Sequence, residues 1–154
     1  VGPKRGAVTP TLIGRIQSRL VLVAAVGIPV ALFLGVVLPR PTDATTLGDM
    51  YRVFFVALAL VAVVGVVWEL VWHGLQQLRW EKDWPTLFGL ITGVPEGVVV
   101  WLLLRAGVPI DVGAVDGSTF LAMFVITWIA IWLVANGPLQ IVFIRWRFRG
   151  GRFL

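Results

Sequence analysis

Glu69 and His73 close one apolar stretch of this sequence and Glu96 stands in the middle of another, so three side chains able to bind a proton or a cation lie where a lipid core would hold them. The first two are four residues apart, which puts them on one face of a helix and lets them share a metal ion or a hydrogen bond. A catalytic metal normally takes three protein ligands, and the only third candidate is Glu96. Ten residues separate Glu96 from Thr86, roughly 15 Å of helix rise, whereas Glu69 and His73 fall near the end of their stretch. That depth difference argues against a shared site, and Glu69 and His73 remain only weak metal candidates.

Glu96 calls for an account of its own. No Lys or Arg lies within eight residues of it on either side, and an ionised carboxylate at that depth is expensive unless it has a partner or a task. Its neighbours Gly93, Pro95 and Gly97 loosen the helix around it, since proline frees a backbone carbonyl and glycine admits another backbone at close range. The group is then protonated, hydrogen-bonded to Thr92, Asn136 or Gln140, or paired with a residue of another protein. Asn136-Gly137-Pro138-Leu139-Gln140 is a second interruption, and a Glu96 to Asn136 contact across two helices is the structural expectation.

The elements that must carry these residues follow from composition. Of 154 residues 58% are hydrophobic and 14% charged, too apolar for a surface wetted on all sides. Four runs, 20–38, 51–72, 86–104 and 120–144, are each long enough to cross a hydrocarbon core of about 30 Å as a helix. They lack the alternation of a transmembrane barrel strand, and the first ends without a small-residue cleavage site. The fold class expected is therefore all-α, an integral membrane domain of four spans over residues 20–144. Residues 1–19, with Ile13, Ile16 and Leu20 spaced between Lys4, Arg5, Arg15 and Arg19, predict a short basic amphipathic helix lying at the interface.

Thirteen Lys and Arg residues set the orientation, because basic residues near short loops are retained on the cytoplasmic side. Ten belong to the N-terminal flank, the Arg79 to Lys82 loop and the tail 145–154, while Arg40, Arg52 and Arg105 belong to the other two loops. Both termini are thus expected in the cytoplasm, in an inner (plasma) membrane. Trp72, Trp80, Trp84 and Trp146 suit its headgroup region, whereas Trp128 and Trp132, four apart within the last span, read as packing residues. Arg15, Arg19, Arg145, Arg147, Arg149 and Arg152 are the candidate contacts to anionic lipid headgroups, a better fit than nucleic acid for basic residues beside a span. The short loop 74–85 predicts an antiparallel hairpin of the second and third spans.

No catalytic set is complete. The chain has no cysteine, its two serines stand at opposite membrane edges, and a single histidine cannot ligate a b-type haem on both faces. No phosphate-binding glycine loop is present, so no cofactor is expected. The lead-in Thr9-Pro10-Thr11-Leu12-Ile13-Gly14-Arg15-Ile16-Gln17 and the ending from Asn136 through Arg152 resemble those of small four-helix membrane proteins of actinobacteria. Among proteins of that kind is an accessory subunit of the mammalian-cell-entry (Mce) lipid importers. The resemblance implies a non-catalytic subunit of a larger membrane complex, with other integral membrane subunits such as a permease as partners, and it transfers no functional residue. The alternative is a small homo-oligomeric transporter or channel with Glu96 lining the pathway.

Overall fold

In the computed structural model, residues 11–42, 45–78, 86–113 and 115–143 are described. Among them the chain is helical: α1 Leu12–Leu22, a π-helical turn Val23–Gly27, α2 Ile28–Val37, α3 Leu47–Gln77, α4 Thr86–Ile91, α5 Gly93–Arg105, α6 Gly117–Asn136 and α7 Pro138–Val142. Stacked end to end they make four helices long and apolar enough to cross a membrane: Leu12–Val37, Leu47–Leu75, Leu87–Arg105 and Gly117–Val142. Valine-rich runs with little helix propensity in water become helical here because no other open-chain form satisfies every backbone group in hydrocarbon.

The first span corrects the sequence reading. The helix starts at Leu12 rather than Leu20, capped by the Thr11 hydroxyl, which accepts from the Gly14 amide at 3.2 Å. Arg15 and Arg19 therefore lie in the first turns of a helix that runs on into the first span, while residues 1–10, with Lys4 and Arg5, lie outside the described residues. The amphipathicity of that helix is inverted: Gly14, Ser18 and Leu22 are buried, while Ile13, Leu20 and Val21 face outward. Past it, Pro29 brings no N–H to the Ala25 carbonyl, and the wide turn Val23–Gly27 absorbs the loss with Ile28 N–H bonding Val23 O.

The third and fourth spans are each broken once, at the places the sequence marks. Thr92 separates α4 from α5, its hydroxyl donating to Gly89 O at 2.9 Å, and Gly137 separates α6 from α7 with Pro138 opening the new helix. α3 packs against α5, as the expected hairpin requires, and also against α1 and α2. Glycines on the third span meet aromatic rings on α6 in antiparallel register. Gly89 faces Trp132, Gly93 lies directly against Trp128, and Gly97 lies against Phe124, where a β-carbon would sit 2.7 Å from Cε1. The rings stack along α6, Phe120 on Phe124 at 5.7 Å and Phe124 on Trp128 at 5.9 Å, so Trp128 and Trp132 do serve packing.

The apolar core fills the half of the bundle away from the start of α1, around Ala31, Leu34, Phe54, Ala57, Val100, Leu104, Phe120 and Met123. At that end, Gly107 (φ 69°) closes α5, with Val108 N–H returning to Leu103 O at 3.0 Å. Asp116 caps α6 by accepting from the Thr119 amide at 2.7 Å. The Ser118 hydroxyl above all, and then the Thr119 amide, holds the Asp116 carboxyl below the usual carboxylate range. A carboxyl lowered by folding stabilises above its unfolded value and loses that contribution as pH falls through the folded one. Thermal scans should therefore show Asp116→Asn less stable than wild type at neutral pH, the gap closing below about pH 4.

Candidate functional site

Arg19 stands on the eighth residue of α1, two turns inside the span, and its side chain crosses the face of α3. It can do so because residue 65 is glycine: a β-carbon there would fall on the guanidinium. From that notch Nη1 donates to Glu69 Oε1 at 3.1 Å, and Nη2 pairs with Glu96 Oε2 on α5. One guanidinium thus joins three spans. Arg15, one turn earlier on the same face, places Nη1 3.9 Å from Glu69 Oε2. Trp128 of α6 supplies its ring to Arg19, 5.5 Å from the guanidinium carbon, and fixes that ring by donating Nε1–H to Leu90 O at 3.1 Å.

Two arginines and two glutamates make the cluster formally neutral, the condition under which charges at this depth are tolerated. Planar, five-donor arginine suits it, since a lysine ammonium has no fork to span two carboxylates. Side-chain exposure rises in order through the network: 2% for Glu96, 13% for Arg19, 18% for Glu69 and 20% for Arg15. Hydrogen bonding is incomplete at its inner end, where Glu96 Oε1 and Arg19 Nε are buried without a protein partner.

No known family model, curated protein or solved structure matches this chain. The geometry alone must therefore be set against the sequence expectations. Glu96 has an internal partner after all, and Arg15 and Arg19 turn toward carboxylates inside the bundle instead of toward lipid headgroups. Asn136 and Gln140 do not meet Glu96: Asn136 Nδ2 donates to Trp132 O at 2.8 Å and Gln140 Nε2 to Ala135 O at 3.5 Å. Gly93 and Gly97 serve the aromatic contacts, and Pro95 sits in the first turn of α5.

The depth argument against uniting Glu69 with Glu96 fails for a specific reason. α3 continues to Gln77, so Glu69 lies eight residues inside it, and the long arginine side chain bridges what separation remains. Glu69 is consumed by arginines, and among the described residues no three His, Asp or Glu side chains assemble as metal ligands. Lys4, Arg5, Arg79, Lys82, Trp80, Trp84 and the tail residues Arg145, Arg147, Arg149 and Arg152 lie outside the described residues. One partial signal for the site was present in the sequence: Arg15 and Arg19 repeat at the spacing of Gly14 and Ser18, two small residues that the structure buries.

Proposed function

We propose that this chain is a non-catalytic accessory subunit of a larger complex in the inner (plasma) membrane, with lipid transport as its setting. The observation that supports it best is the self-contained charge network. Arg15, Arg19, Glu69 and Glu96 neutralise one another within the chain and tie three spans into one body. Around that body the outward side chains are large and apolar, including Phe33, Val36, Val63, Val94, Leu102 and Leu121. Such a body inserts without a counter-charge from elsewhere and meets its neighbours through apolar surface. The lipid-transport setting rests on the resemblance to Mce accessory subunits, and the class of neighbour it implies is a permease.

In this reading both termini and the 78–85 connection face the cytoplasm, where the basic tail meets anionic headgroups. The homo-oligomeric channel is less well supported, because Glu96 points into the bundle and is 1% exposed. A cavity among Ala57, Leu58, Val61, Met123, Thr127 and Ile131 is apolar and has room for about one water, too small for a lipid substrate.

Affinity purification in mild detergent followed by mass spectrometry should recover a larger integral membrane protein in stoichiometric amount. Recovery of this chain alone, together with cation flux in liposomes that disappears in Glu96→Gln, would replace the subunit reading with the channel.

A further inference from the structure

The buried face of the first span keeps a regular spacing that changes once. Gly14, Ser18 and Leu22 in α1, then Gly27, Ala31 and Gly35, form one inward stripe, and every step along it is four residues except that from Leu22 to Gly27, which is five. Val23 and Leu34, also buried, flank it. Four residues of α-helix turn through about 400°, so such a stripe winds slowly, by about 40° per step. Five would turn through about 500° and carry Gly27 about 140° away from Leu22, off the inward face. The π turn removes that discrepancy, because closing the ring five residues back spreads one turn over an additional residue. The bond from Ile28 N–H to Val23 O is that closure.

On either side of the turn the span is keyed to the same neighbour, α3. Before it, Arg19 lies in the Gly65 notch and reaches Glu69, and beyond α3 it reaches Glu96. After it, Gly35 lies against the Tyr51 ring, where no β-carbon fits, and the Tyr51 hydroxyl donates to Leu32 O at 3.0 Å. Gly27 itself seats beside Leu58, whose side chain would be 3.1 Å from a β-carbon there. With α2 held in that seat, a continuous α-helix of the same sequence would turn α1 by about 100°, one residue's worth. Leu20 would then take the azimuth of Arg19, and both carboxylates would face a leucine. Pro29 favours the wide turn at this place, since in a straight α-helix its ring would meet the Ala25 carbonyl.

We propose that Val23–Gly27 is an indexing joint: one additional residue, held at this place by Pro29, sets the rotation of α1 so that Arg19 and not Leu20 enters the ion network. Ala24 and Ala25 face outward, so the length of the turn carries the role and their side chains do not. Pro29 and the turn are positioning elements, acting on Glu69 and Glu96 only through the azimuth of Arg19. The joint is built within one chain and is independent of whether that chain works as a subunit.

Deleting Ala24 together with Pro29→Ala removes the additional residue and the obstacle to a straight helix at once. The stripe then runs in steps of four throughout, and Arg19 should keep its place. The coupling between Arg19→Leu and Glu96→Leu in a double-mutant cycle should therefore equal that in the parent chain. Inserting one alanine after Ala24 should instead rotate α1 and abolish the coupling. Because that coupling is read from stability, a distance supplies a second measurement. The chain has no cysteine, so spin labels at Ile13→Cys and Leu70→Cys, both outward positions, can report the rotation by electron–electron double resonance. Their separation should be unchanged in the deletion variant and altered in the insertion variant, where a turn of about 100° displaces the label on α1 by about 8 Å. A deletion variant that fails to fold, or that folds with the coupling lost, overturns the joint. So does an insertion variant that keeps the parent coupling and the parent distance.

Discussion

Arg19→Leu should be among the most damaging single substitutions in this protein, destabilising it by about 3–5 kcal/mol, the usual result of stripping one partner from a buried ion pair. Two carboxylates lose their shared donor at once. Glu69 retains Arg15 at 3.9 Å, but Glu96, whose side chain is 2% exposed, has no second cation among the described residues. The double variant Arg19→Leu/Glu96→Leu should recover most of the loss, because an apolar pair removes the desolvation penalty along with the attraction. Arg19→Lys should fall between, since a lysine ammonium is a compact point charge without the fork that reaches Glu69 and Glu96 together. Reversible unfolding of wild type, the two single leucine variants and the double variant in one detergent gives the coupling directly as a double-mutant cycle. Additive effects of Arg19→Leu and Glu96→Leu would show that the two side chains act separately.

The helices were legible because they follow from a strong constraint. Runs such as Val53 to Val64 are apolar on every face, and in hydrocarbon such a run has to satisfy its own backbone. Pro95, Gly137 and Pro138 likewise mark breaks visible as residue types. The partner of Glu96 was harder to see because the pairing is non-local. Arg19 lies 77 residues from Glu96, and its basic neighbours give the signature of a headgroup-binding helix. An amphipathic pattern reports that two faces differ but does not say which faces inward. Gly65 decides that question, and in sequence it is one more glycine in a valine-rich run. Only when α1 is placed across it does the missing side chain become the opening for a guanidinium.

Gly93 offers the second large effect, and the contrast with Gly89 isolates its cause. Both are on the third span four residues apart, and both face a tryptophan of α6. At Gly89 an added β-carbon stays 3.8 Å from Trp132, ordinary contact distance, while at Gly93 it would enter the Trp128 ring. Gly89→Ala should therefore be neutral or raise stability by up to about 1 kcal/mol through helix propensity alone. Gly93→Ala should lower it by about 1–3 kcal/mol, the range for overpacking a core, because the ring cannot retreat freely. Trp128 is held by its bond to Leu90 O, by stacking on Phe124 and by Arg19 over its face, so displacing it disturbs the ion network as well. That linkage gives the prediction a second readout. In Gly93→Ala, Trp128→Leu should restore part of the lost stability, whereas in wild type Trp128→Leu should only destabilise. Equal melting behaviour for Gly89→Ala and Gly93→Ala would mean that α5 and α6 are not in the close register on which the site depends.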